Sequence, residues 1–211
     1  MDDSTAKIDT PAPERQHGFV RRWMGGLRPH PGSSDPRKLG KWGSIVAGAY
    51  LLIATVVGIY WSSTPEHFDV RENAARYAAA TEQDVVTGTT TVATLQETIR
   101  ILLEKPGGYT HNDLFPPGVW LDNMPNWEYG VLVQSRDLAR ALREVLSRSQ
   151  SQSKEDVDLT LAEPRINFQS KSWILPASES EYRDALRFLE AYRARLAVTG
   201  QNSAQFYARA D

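Results

Sequence analysis

Residues 42–65 contain no charged side chain, and residues 45–61 within them are almost wholly apolar. Such a run restricts what the chain can become. In a bilayer every backbone N–H and C=O must be satisfied within the segment, so a single apolar stretch has to be helical. Crossing the hydrocarbon takes about 20 such residues at roughly 1.5 Å each, and a core helix of a soluble domain seldom stays free of charge for so long. Trp42 at one end and Tyr60-Trp61 at the other stand where amphipathic rings favour the headgroup layer. The expectation is one transmembrane helix over residues 43–62.

The flanks give this helix a direction. Arg21, Arg22, Arg28, Arg37, Lys38 and Lys41 precede it, opposed locally only by Asp35, whereas Glu66, Asp69, Arg71 and Glu72 follow. Residues 1–42 carry eight Lys/Arg against five Asp/Glu, and residues 66–211 carry sixteen against twenty-one. The positive-inside rule then places the N-terminus in the cytoplasm and residues beyond the span outside, in the periplasm of a Gram-negative cell. A cleaved signal peptide does not fit, because the preceding arm is too long and no small-residue cleavage site follows. The run reads as an uncleaved signal anchor in the inner membrane. A mean hydropathy of -0.45 excludes a polytopic transporter, and the acidic outer part argues against a nucleic-acid partner.

The arm, residues 1–42, is rich in Pro and Gly and reads as disordered. Inside it Phe19, Val20, Trp23, Met24 and Leu27 recur at helical spacing among arginines. That pattern is open between a short helix on an anionic leaflet and a solvated basic tail.

Beyond the span no strand-like alternation occurs, and the outer part is expected to be all-α: a small helical bundle with one long ordered Pro/Trp-rich loop. Residues 63–88 read as a helical stalk, with helix over 66–83, and residues 89–211 as the domain proper. Leu95, Ile99, Leu102 and Leu103 form one helical face, with Thr94 and Glu97 at capping-box spacing. Pro106-Gly107-Gly108 stops that helix. Residues 109–127 have no period, and helix resumes near Glu128 with Val131, Leu132, Leu138, Leu142, Val145 and Leu146 as its apolar side. Residues 147–153 are a Ser/Gln-rich linker, 156–162 one or two turns, and 165–175 irregular. Ser178 and Glu181 form a second capping box before the stripe Tyr182, Leu186, Leu189 and Leu196. Residues 202–211 begin another helix-like pattern that stops without a cap, as a truncated domain would.

The chain has no cysteine and four histidines. Disulfides and thiolate sites are thereby excluded. His111 and Asp113 alone are too few ligands for a metal site, no serine has a histidine partner downstream of His111, and no cofactor is implied. Chemistry, if any, is expected in residues 109–128. Asp122 and Glu128 are the candidate acid–base pair there, and Trp120, Asn123, Asn126 and Trp127 the candidate ligand-binding residues, since aromatic platforms beside carboxylates and amides hold and cleave sugars. A glycosidase would need the two carboxyl groups roughly 5–5.5 or 6.5–9.5 Å apart. The plainer reading is a connection wrapped around a bundle, with buried tryptophans and turn-forming Asp and Asn.

The runs Ile101-Leu102-Leu103-Glu104-Lys105-Pro106-Gly107-Gly108-Tyr109, Asn112-Asp113 and Phe115-Pro116-Pro117-Gly118-Val119-Trp120-Leu121-Asp122-Asn123-Met124-Pro125-Asn126-Trp127-Glu128 resemble the bacterial family catalogued as domain of unknown function 2333. So do Arg136-Asp137-Leu138, Ser147-Arg148-Ser149-Gln150-Ser151-Gln152-Ser153 and Ser178-Glu179-Ser180-Glu181-Tyr182-Arg183. The resemblance covers roughly residues 40–211. It implies a proteobacterial inner-membrane protein with a helical periplasmic region that continues past the position of Asp211, and it brings no catalytic residues. The functional expectation is a cell-envelope interaction or scaffold protein binding an envelope protein or peptidoglycan, with a membrane-tethered glycan-binding or hydrolysing enzyme as the alternative.

Overall fold

A computed structural model describes residues 36–148, 154–200 and 202–208. The amphipathic stretch 19–27, the rest of the arm before residue 36 and most of the Ser/Gln-rich run lie outside these. Among the described residues there are six helices and no strand: α1 Pro36–Trp61, α2 Val70–Ala79, α3 Thr89–Glu104, α4 Asn123–Ala141, α5 Val157–Ile166 and α6 Ser178–Leu196. Two compact units are distinguished, residues 1–47 and 48–211. The described part of the first is the opening half of α1, whose described side chains are all exposed.

α1 begins seven residues before the expected span. Pro36 suits a first helical position, where the missing N–H is an orphan in any case, and Arg37, Lys38 and Lys41 carry the helix outward as exposed basic side chains. Arg37–Trp61 is long and apolar enough to cross a membrane and is almost bare of contacts. Ala54 and Gly58, one turn apart, are its two buried positions.

In the second unit α3 to α6 form an antiparallel bundle. Opposed pairs give the directions. Gln96 of α3 meets Arg193 of α6, and Asn112 beyond α3 meets Glu179 at the start of α6. Arg143 after α4 meets Glu155 ahead of α5, whereas Arg136 donates to the Ile166 and Phe168 carbonyls where α5 ends. The core holds Leu95, Ile99, Leu102 and Leu132 with Leu142, Leu159, Ile166, Tyr182, Leu189 and Tyr192. Fully burying one such side chain stabilises by about 1.5–3 kcal/mol. Ala139, Ala162 and Ala185 are buried among them, and their small size lets the helices approach closely.

Several local expectations are corrected. The stalk helix over 66–83 is the shorter α2, started by Asp69, whose carboxylate accepts from the Arg71 and Glu72 N–H groups. It packs on α3: buried Asn73 donates to the Ala93 carbonyl and Tyr77 donates to Glu97. Neither capping box forms. α3 already starts at Thr89 behind Gly88 (φ 95), so Thr94 lies inside it. The buried Ser178 hydroxyl turns instead to the Gln169 and Ser172 carbonyls. α4 starts at Asn123, before Glu128. It then passes into a π turn over Leu142–Leu146, which inserts a residue and rotates Val145 out of the apolar stripe to 41% exposure. α5 runs on to Ile166, and its N-cap Asp156 also meets Arg195 of α6. The buried stripe of α6 is Tyr182, Ala185, Leu189 and Tyr192, leaving Leu186 and Leu196 half-buried. Residues 203–208 are not helical. They form a strap in which Phe206 lies against Gly88, the Tyr207 N–H donates to Leu146, and the Gln205 carbonyl accepts from Tyr192.

Candidate functional site

The connection from α3 to α4 is built around one buried carboxylate. Gly107 (φ 84) and Gly108 (φ 68) turn the chain back after Lys105 in a conformation that side chains oppose. That turn folds the Lys105 ammonium over its own loop, where it donates to the Gly108 carbonyl at 2.5 Å and lies 2.5 Å from Glu128 Oε1. Glu128, in the second turn of α4, also accepts from the Thr110 N–H at 2.9 Å, the Thr110 hydroxyl at 2.9 Å and the His111 N–H at 2.7 Å. Both ionic side chains have no exposure at all. A buried carboxylate with this many donors has its desolvation offset by geometry, and it clamps three parts of the chain together.

The flanking residues extend the clamp. Tyr109 packs edge-on against Tyr182 and donates to the Ser170 carbonyl at 3.0 Å. Burial, reinforced by Tyr182 and the Glu128 charge, pushes its phenol far above the usual range. His111 stacks on Tyr129, and its Nδ1 lies 3.0 Å from the Pro125 carbonyl, an acceptor to which it can donate. Asn112 donates to the Ser172 carbonyl at 2.8 Å and to Glu179 at 3.0 Å. Asp113 folds over Gly118, where an added Cβ would stand 1.9 Å from its Oδ2. Burial, then the charges of Glu128 and Glu179, raises the Asp113 carboxyl.

The residues singled out from sequence are not brought together. Asp122 is exposed just before α4 and caps nothing with its side chain. Buried Glu128 lies six positions further along, which puts the two about 120° apart around the axis and about 9 Å along it. Trp120, in a 3-10 turn, is 52% exposed. Asn123 is exposed and reaches the Ser62 carbonyl at 3.4 Å, and Asn126 is exposed. Trp127 packs on the core and lines an open groove of about 190 Å³ with Pro65, Phe68, Thr98, Ile101 and Val131. That groove is apolar and holds no carboxylate except Glu66 at its rim.

Sequence reasoning missed Lys105, and nothing local signals it. A lysine at a helix C-terminus is ordinary complementarity to the helix dipole, and its partner Glu128 lies beyond the whole loop. A second carboxylate, Glu97, is likewise engaged, by Arg76 at 2.9 Å, by Arg100 and by the Tyr77 hydroxyl at 3.1 Å. Among the described residues no three His, Asp or Glu side chains converge as metal ligands would.

No curated protein and no solved structure matches the chain. Residues 37–211, the greater part of the sequence, match the family described as an uncharacterized protein conserved in bacteria (DUF2333), and the chain belongs to that family.

Proposed function

We propose that this protein is a single-pass inner-membrane protein that holds a helical bundle in the periplasm as an interaction or scaffold module of the cell envelope. The observation that carries the reading is the outward face of α1. Leu52, Ile53, Val56 and Ile59 are each 59% exposed or more, on a helix of membrane-spanning length. Water does not tolerate a continuous apolar surface of that extent, and lipid does. The basic flank before it and the acidic flank after it support an N-terminus in the cytoplasm.

A binding role is supported over a catalytic one by the state of the carboxylates. Glu128 and Glu97 are held in ion pairs, and Asp122 stands apart from both. The glycan-hydrolase alternative would need Asp122 and Glu128 across one cleft, and no observation favours it.

Alkaline phosphatase fused after Ser153 is expected to be active and a fusion after Lys38 silent. The reverse pattern overturns the topology. Cross-linking in intact membranes is expected to trap the full chain with an envelope component, and recovery of the bait alone counts against the scaffold role.

A further inference from the structure

The end of the bundle next to α1 carries two exposed apolar loops, and the geometry points to their lying in the surface of the same bilayer that α1 crosses. We propose that residues 114–121 and 172–176 form a two-pronged membrane-docking face whose occupant is the lipid headgroup layer. The inference rests on the reading of α1 as a transmembrane helix and adds a second attachment to it.

The loops are at the right height. A Cβ built on Gly58 would stand 3.4 Å from the Pro117 Cβ and 3.8 Å from Leu121 Cδ2. Gly58 is three residues short of the end of α1, or about 4.5 Å along its axis. The first loop therefore packs beside the last apolar turn of the span. Trp61, the final residue of that turn, lies against Gly107, where an added Cβ would be 2.6 Å from its ring. Ala54, one turn before Gly58, is the other buried position of α1.

The loops are also of the right character. Phe115, Val119 and Trp120 are 76%, 52% and 52% exposed in the first, and Trp173, Ile174 and Leu175 are 54%, 58% and 93% exposed in the second. The Asn112 and Tyr109 hydrogen bonds to the Ser172 and Ser170 carbonyls hold the second loop against the base of the first. Lys171, exposed at the edge of the second loop, offers an ammonium to lipid phosphates, and Asp122 is the exposed carboxylate at the edge of the first. Apolar side chains with two tryptophans among them are the composition of an interfacial element, which settles about 5–10 Å into the headgroup and acyl boundary.

Residues 1–211 contain no native cysteine, so one environment-sensitive fluorophore can be placed at a time on this chain in liposomes containing nitroxide-labelled lipid. The sites are Phe115→Cys, Ile174→Cys, Leu52→Cys as a reporter of the span, and Val157→Cys as an exposed apolar residue at the opposite end of the bundle. Shallow nitroxides are expected to quench most of the emission at 115 and 174, deep ones that at 52, and neither that at 157. Quenching at 52 with 115 and 174 no more affected than 157 overturns the docking face while leaving the anchor intact. No quenching at 52 overturns the anchor and the docking face with it. Quenching at 115 alone removes the second prong and with it the proposal of a two-pronged face.

Discussion

The Lys105 ammonium and the Glu128 carboxylate lie 2.5 Å apart, and neither side chain touches solvent. Lys105 closes α3 and Glu128 stands in the second turn of α4, so their contact sets the geometry of the whole intervening connection. Removing one member of such a pair leaves an uncompensated charge in an apolar setting, at a cost of about 3–5 kcal/mol. Glu128→Ala is therefore expected to lower the thermal midpoint sharply in detergent, followed by far-ultraviolet circular dichroism. The double variant Lys105→Met, Glu128→Leu should lie well above the single one. If the single and double variants melt together, the ion pair is not what stabilises the connection.

Two glycines should respond oppositely to alanine. Gly88 has φ 95 and Phe206 where a Cβ would go, at 2.5 Å, so Gly88→Ala is expected to destabilise by about 1–3 kcal/mol. Gly130 lies inside α4 with nothing within 4 Å, so Gly130→Ala should stabilise by about 0.5–1 kcal/mol. Urea unfolding of each variant of the chain ranks them, and an equal response would contradict the strap packing.

Acid should loosen the contact between α2 and α3. Burial alone would raise the Glu97 carboxyl, but Arg100, Arg76 and the Tyr77 hydroxyl together hold it below its ordinary 4.5. A carboxyl depressed in the folded state contributes stability that is fully present above the unfolded value and lost as pH falls through the folded one. The melting temperature of wild type should thus drop below about pH 4.5, and Glu97→Gln, less stable at neutral pH, should drop less steeply. Parallel curves would remove Glu97 from the account.

Asp113 has the opposite sign. Its carboxyl is raised by burial and by Glu128 and Glu179, so ionising it costs folded-state stability above its unfolded value of 3.8. Asp113→Asn is expected to raise the midpoint at neutral pH and to leave it unchanged at strongly acidic pH. A lower midpoint at pH 7 would show that the side chain holds the Gly118 turn by more than its charge.

Asp122 is exposed and caps nothing. Asp122→Asn should stay within about 0.5 kcal/mol of wild type and should restore every envelope phenotype of a deletion strain. Failure to restore one, with stability intact, would return the glycan reading to consideration.

What could be read from the sequence followed the range of the interactions concerned. The apolar run of α1 and the α3 face of Leu95, Ile99, Leu102 and Leu103 are properties of contiguous residues, and both match the structure. The two capping boxes failed because Ser178 and Thr94 satisfy the spacing while their hydroxyls bond elsewhere. The candidate loop was located, but the ion pair inside it was not legible: Lys105 and Thr110 reach Glu128 only once the chain has doubled back. Pro117 and Leu121 of that loop meet α1 at Gly58, a residue with no side chain to advertise the contact.

Trp61 seated against Gly107 has a mechanical consequence. Residues 48–61 of α1 belong to the same compact unit as the bundle, so if they cross a bilayer as proposed, that part of the helix cannot lean without the bundle leaning as well. Helices accommodate a thicker or thinner hydrocarbon layer largely by tilt. Membrane thickness would then be read out as the angle at which the bundle stands over the surface.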